Sequence, residues 1–207
     1  PFPADGTNRS SGSISNALQA EDIIRKDIRT DLGTGGKRAL GVSLSVDFSL
    51  VDVRKGCAPL AGHAVYLWHC DAGGNYSLYD KPERSYLRGM QLSDAGGRVR
   101  FETIVPGCYG GRFPHFHLEV FSSQASAKTG DDAILTSQIA IPADVCAASY
   151  RANSAYRASV GNFSGNGELS EDFIFSDNGA KQTAAMTLRC TGDAATGYRG
   201  KAVVGIA

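Results

Sequence analysis

From Val42 to Leu50 the chain alternates residue by residue, with Val42, Leu44, Val46, Phe48 and Leu50 separated by Ser43, Ser45, Asp47 and Ser49. Successive side chains of a β-strand point to opposite faces, so this stretch predicts a strand with one buried and one solvated side. Further strands are predicted at Ala64 to His69, Arg98 to Ile104, His115 to Phe121 and Thr136 to Ile141, with late ones near Met186 to Cys190 and Ala202 to Ile206. Turn residues separate them throughout. Many short strands with Gly-rich connections point to an all-β fold, a two-sheet β-sandwich. Ahead of the first strand the period differs. Leu18, Ile23, Ile24 and Ile28 recur at near-helical spacing within Asn16 to Leu32 and predict a short helix followed by an irregular lead-in. Pro1 to Ser15, rich in Gly, Ser and Asn, reads as an extended or disordered arm. Residues 1–40 are therefore taken as an N-terminal arm and lead-in, and residues 41–207 as one domain. The stretch from Ala143 to Val160, alanine-rich and dotted with tyrosine, fits neither period.

A chain of 207 residues is long enough to bury one substantial core. Lysine plus arginine equals aspartate plus glutamate at 21 each, so no net field favours nucleic acid or an anionic membrane. No apolar run approaches the roughly 18 residues needed to cross a bilayer. The chain starts at Pro1, as a processed or trimmed chain would. The five cysteines, Cys57, Cys70, Cys108, Cys146 and Cys190, include no Cys-x-x-Cys pair, which argues against a zinc knuckle or a thioredoxin-type motif. They allow up to two disulfides with one thiol left over, the alternative being five reduced, mostly buried thiols. Together with Asn-x-Ser sequons at Asn8, Asn75 and Asn162 this favours secretion, with a glycan expected at Asn8 or Asn162.

The candidate chemistry lies in two segments, WHCDAGGNY from Trp68 to Tyr76 and PGCYGGRFPHFH from Pro106 to His117. His115 and His117 stand at i and i+2 of a predicted strand, so they share a face while Phe116, Leu118 and Val120 face the other way. Tyr109 lies six residues earlier, beyond Gly110, Gly111 and Pro114, which supply turn chemistry to bring a loop residue toward the same point. Phenolate oxygen is a hard anionic donor and imidazole a neutral one, a combination suited to ferric iron. Taken singly, a tyrosine is usually a half-buried aromatic, and His-x-His on a strand is equally a zinc half-site or a polar face. The paired glycines at Gly73-Gly74, Gly96-Gly97 and Gly110-Gly111 sit in no phosphate-binding frame and read as turns. Ser93-Asp94 reads the same way. His63 is placed exposed near a turn, and His69 on a strand facing away from the candidate ligands.

In combination these residues resemble the intradiol ring-cleavage dioxygenases, the family of catechol and protocatechuate dioxygenases. The ordered pattern is Trp68, Gly73, Gly74 and Tyr76, then Arg88-Gly89, Ser93-Asp94, Gly97, Phe101 and the run Thr103-Ile104-Val105-Pro106-Gly107-Cys108-Tyr109, closing at Arg112, His115 and His117. It spans about Cys57 to Gln138, and the Trp-His-Cys-Asp wording is similar to the secreted, single-chain branch. The resemblance implies a β-sandwich holding non-haem Fe(III) through Tyr76, Tyr109, His115 and His117. It further implies that a catechol-type diol reacts with O2 to give a cis,cis-muconate-type diacid, with Tyr109 the departing ligand that takes a substrate proton. Arg112 would stabilise negative charge developing on the ring, and Gln138, reached through Thr136-Ser137-Gln138, would stand beside the same pocket. The family's upstream Glu-Gly-Pro-Tyr-Tyr wall is missing, the comparable region reading LQAEDIIRKDI from Leu18 to Ile28. A more open pocket for substituted catechols or plant and lignin phenolics is the expectation. One chain carrying all four ligands needs no partner subunit, so a monomer is expected. Two rivals from other classes are a non-catalytic β-sandwich binding module and a zinc hydrolase using His115 and His117.

Overall fold

The computed structural model describes residues 16–207, so the expected arm from Pro1 to Ser15 and the sequon at Asn8 lie outside the described residues. Two sheets face each other. The first is built on β1 (Ser43–Asp52), which pairs antiparallel with β5 (Arg98–Ile104) and with the short β2 (Ala58–Pro59), and parallel with β9 (Gly197–Ile206), which in turn pairs with β8 (Arg189–Asp193). The second has the order β4 (Arg88–Leu92), β3 (Ala64–Trp68), β6 (His115–Phe121), β7 (Leu135–Ala140), all antiparallel.

The alternation in β1 does what its pattern predicts. Leu44, Val46, Phe48 and Leu50 enter the core between the sheets, where they meet Val99 and Phe101 of β5, Val65 and Leu67 of β3, and Phe116, Leu118 and Val120 of β6. The second sheet is buried on both faces along β3 and β6. Its outer face carries Ala64, Tyr66, Trp68, Met90 and Phe121 beneath a cover of Ala17, Leu18, Ile23 and Ala127. Double burial explains why β3 and β6 show no solvated positions and read as continuous apolar runs broken only by chemistry-bearing residues.

That cover matches expectation only in part. The short helix expected within Asn16 to Leu32 is a single 3-10 turn, Ala17–Gln19, capped by the Asn16 side chain, and the irregular lead-in follows it. The Arg25 N–H donates to the Met90 carbonyl, Met90 N to Ile23 O, Ile28 N to Glu102 O and Glu102 N to Lys26 O. The segment thus bridges the free edges of β4 and β5 and closes one flank of the sandwich, using main-chain bonds that a helix would have kept for itself.

The unclassified stretch is helical. α1 (Ala143–Ala152), α2 (Arg157–Gly165) and α3 (Ala180–Ala185) lie between β7 and β8. Pro142 at the cap and Asp144 in the first turn suit the start of α1, and alanine sustains it. The disulfide expectation is also corrected, since all five cysteines are free. The buried thiols have separate partners: Cys70 Sγ donates to Gly107 O, Cys108 Sγ lies on Arg112 O, and Cys146 Sγ lies on Ile141 O. Among the described residues no helix is long and apolar enough to cross a membrane.

Candidate metal centre

Antiparallel register lines up one row of side chains across the outer face of the second sheet. Arg88 of β4 is opposite Trp68 of β3, Trp68 is opposite His117 of β6, and His117 is opposite Gln138 of β7. His115 follows two residues before His117 on the same face. The flat indole of Trp68 stacks on the His117 ring at 4.7 Å between centroids, which fixes the imidazole plane. The His115 Nδ1–H donates to the Phe113 carbonyl at 2.5 Å, leaving its Nε2 lone pair directed outward.

Two loops bring phenols to these imidazoles. The first leaves β3 and turns through Asp71, whose Oδ1 accepts from Gly73 N and Asn75 N while Oδ2 holds Lys81 Nζ and the Tyr86 hydroxyl. Tyr76 follows, its N–H bonded to Asp80 Oδ2. The second leaves β5 through Pro106 and Gly107 to Tyr109. The loops touch where neither tolerates a side chain: a Cβ on Gly74 would meet Cys108 O at 2.7 Å, and one on Gly107 would meet Asp71 O at 2.5 Å. Gly74 also has φ of +87°.

The result is a closed ring of four donor atoms. Tyr76 Oη lies 3.0 Å from His117 Nε2 and 3.4 Å from Tyr109 Oη, Tyr109 Oη lies 3.4 Å from His115 Nε2, and the two Nε2 atoms are 3.1 Å apart. Neighbouring ligands about 2.1 Å from a first-row cation at right angles stand about 3.0 Å apart, so the ring has the edges of a coordination shell. Electrostatics agree. Burial pulls His115 down to about 3 and His117 well below the ordinary histidine value, so both imidazoles are neutral. Burial pushes Tyr76 well above the ordinary phenol value and raises Tyr109 as well, so only a strongly charged cation would make them phenolates.

Beside the ring, Arg112 is buried at 8% exposure and so is no surface ion pair. Its Nε donates to Asp172 Oδ2 at 2.9 Å, its Nη2 to Gln138 Oε1, and its guanidinium faces the Phe173 ring at 4.6 Å. All six residues singled out by sequence therefore converge. His69 stays away, bonded to the Thr103 hydroxyl and the Cys70 carbonyl. His63 is half-buried beside the Gly62 turn, with Nδ1 on Ala61 O. Asp172 was not foreseen, and neither were the polar residues of α2, Ser159 and Asn162, or Asn166 just beyond it. Their spacing at three and four residues on one helical face was the available signal. The Asn162 sequon stands beside this loop, its amide nitrogen donating to Cys108 O at 3.0 Å.

A family model described as Dioxygenase matches residues 22–194. This chain belongs to the intradiol ring-cleavage dioxygenases. An intradiol ring-cleavage dioxygenase from Tetranychus urticae shares the fold, with TM-score 0.69 and 24% identity over 100% of this chain and 92% of that one. So does the dioxygenase domain of a dioxygenase carbohydrate-binding protein fusion from Streptomyces sp. SirexAA-E, with TM-score 0.53 and 24% identity over 88% of this chain and 91% of that one. In sequence, a catechol 1,2-dioxygenase from Pseudomonas sp. (strain EST1001) is 38% identical over 53 residues, which are 25% of this chain and 18% of that protein. The chain thus spans less than a fifth of that curated relative's length.

Proposed function

We propose that this member of the family is a non-haem Fe(III)-dependent enzyme that cleaves a catechol-type ring between its two hydroxylated carbons with O2, giving a cis,cis-muconate-type diacid. The observation that carries the reading is the closed ring of Tyr76, Tyr109, His115 and His117, in which two neutral imidazoles and two phenols face one point. Two phenolates and one hydroxide neutralise a trivalent cation, whereas a divalent zinc site built from His115 and His117 has no use for both tyrosines. Bound ferric iron supplies Lewis acidity that makes the chelated aromatic ring reactive toward oxygen.

The remaining work falls to the chain itself. Tyr76 is buried and framed by Asp71 and Asp80, which suits a ligand that stays. Tyr109 is half-buried at the rim, next to glycines with open space around them, which suits the ligand that leaves. Once released, a phenolate at Tyr109 would be a base able to take a substrate hydroxyl proton at Oη. Arg112, always charged and held from two sides by Asp172 and Gln138, presents a fixed positive group to negative charge developing on the ring. Trp68 holds the His117 plane and excludes water from that side.

Breadth of substrate is part of the same proposal. The segment from Leu18 to Ile28, LQAEDIIRKDI, brings no aromatic side chain to wall the site, which supports an open pocket. A preference for unsubstituted catechol over every substituted one would count against this part.

The test is a visible spectrum with metal analysis, before and after anaerobic addition of a catechol. A broad tyrosinate-to-iron band that shifts on addition is expected. A protein that stays iron-free and colourless after ferric loading would instead support the binding-module reading.

A further inference from the structure

The loop from Cys108 to Arg112 carries both the phenol that must leave and the guanidinium that must stay, yet it has little to hold itself. Gly110 and Gly111 have no atom within 4 Å of a would-be Cβ, and Gly111 has φ of +80°. Its main-chain groups are instead engaged from outside by one helix face. Ser159 Oγ accepts from Cys108 N at 2.8 Å and donates to Ala72 O at 2.7 Å, joining the two ligand loops. One turn on, Asn162 Nδ2 donates to Cys108 O. Asn166 then caps α2 and reaches furthest: its Nδ2 donates to Tyr109 O at 2.7 Å and Arg112 O at 2.8 Å, and its Oδ1 accepts from Gly111 N at 2.9 Å.

We propose that Asn166 is a positioning residue for the metal centre, fixing the backbone on both sides of Tyr109 and Arg112 so that Tyr109 exchanges by side-chain rotation while Arg112 remains in place. A side chain that satisfies two carbonyls and an amide at once acts as a strut across a flexible turn. With the strut in place, the entropy of ordering two glycines is settled during folding and is not charged again at each turnover. The inference rests on the ferric reading of the site for its catalytic consequence, but the strut itself is measurable without metal.

The experiment compares Asn166→Ala and Asn166→Asp with wild type, with Val160→Ala on the exposed side of α2 as control. Amide hydrogen exchange on metal-free protein reads the loop, and iron release to a chelator together with the visible tyrosinate band reads the ligand. Asn166→Ala should lower protection of the Gly111 amide about tenfold while amides of β3 and β6 keep theirs, and should speed iron release about tenfold, the net worth of roughly one hydrogen bond. Asn166→Asp sets a carboxylate oxygen against the Tyr109 and Arg112 carbonyls in place of a donor, so it should release iron faster than wild type and shift the band. Unchanged Gly111 protection in Asn166→Ala, or lost protection with iron release and band unaltered, overturns the proposal. Wild type that holds no ferric iron refutes the functional reading instead, and Gly111 exchange still decides whether the strut exists.

Discussion

Replacing Asp172 separates the electrostatics of the Arg112 side from the metal ligands. The carboxylate is 4% exposed and accepts three hydrogen bonds: Arg112 Nε at 2.9 Å and Phe113 N at 2.7 Å on Oδ2, and Ile174 N at 2.9 Å on Oδ1. In Asp172→Ala the buried guanidinium keeps its charge and loses its counterion, a change worth about 3–5 kcal/mol of folding stability. Asp172→Asn is milder. It keeps one oxygen acceptor for Arg112 and Phe113 but loses the charge, and its amide nitrogen cannot accept from Ile174 N, so it gives up at least the difference between a charge-assisted bond of about 1.5–3 kcal/mol and a neutral one of about 0.5–1.5 kcal/mol, or roughly 1–2 kcal/mol. Burial pushes the Asp172 carboxyl up, but the bonds from Arg112, Phe113 and Ile174 outweigh it and hold it below the ordinary aspartate value. A depressed pKa stabilises the fold above the unfolded value of about 3.8 and loses that contribution as pH falls through the folded one. Denaturant unfolding of metal-free wild type and Asp172→Asn should therefore show a gap of roughly 1–2 kcal/mol at pH 7 that narrows below about pH 3.8. A gap under about 0.5 kcal/mol, or one indifferent to pH, would refute the buried-pair reasoning.

Arg112→Ala should lower turnover while iron stays bound; loss of iron would sink its electrostatic role. Tyr109→Phe should weaken the tyrosinate-to-iron band without abolishing it, because Tyr76 remains, and should depress kcat; an unchanged spectrum would remove Tyr109 from the ligand set. Gly107→Ala puts a methyl against Asp71 O, Ala72 O and Ser159 Oγ at 2.5 to 2.6 Å, contacts that cannot yield without moving both ligand loops. A loss of about 1–3 kcal/mol with impaired iron retention is expected, and wild-type behaviour in both would contradict the packing described. Burial pulls His69 down to about 4, so unfolding free energy should fall by up to about 1.4 kcal/mol per pH unit on its account between about pH 6.5 and 4. His69→Gln should flatten that slope, and identical slopes would show that His69 does not contribute.

Legibility in the sequence followed the range of the interactions involved. The shared face of His115 and His117 on β6 was readable because a period of two assigns both to it with no further information. β1 was readable because its outer face is solvated. The short helix expected within Asn16 to Leu32 is only one 3-10 turn because Ile23 and Ile28 are buried along a sheet edge and Leu18 by covering the outer face, and such a segment has no period of its own. The helices between β7 and β8 were obscure for a related reason. Tyr150 and Tyr156 are buried, and their hydroxyls donate to Pro106 O and Val105 O, while Ser159 and Asn162 hold Cys108. The face that packs inward thus mixes polar groups with Val145, Cys146 and Phe163, which blurs an amphipathic signature. Asp172, a lone acid far along the chain from Arg112, carried no local mark of its partner.

The parallel pairing of β1 with β9 bears on how the molecule is made. Tyr198, which lies opposite Leu44, leaves the ribosome 154 residues after it, an interval of roughly 8–30 s at about 5–20 residues per second. Throughout that interval one long flank of β1 has its N–H and C=O groups unpaired, beside the alternating apolar residues that will form the centre of the core. Every proposed ligand of the candidate metal centre has already emerged by then, so the residues of the candidate site are complete in sequence well before the sheet behind them is closed. Shortening the chain within β9 would remove no site residue, yet it would leave β1 with an open edge able to pair with another copy, and the loss would register as aggregation during expression before it registered as lost activity.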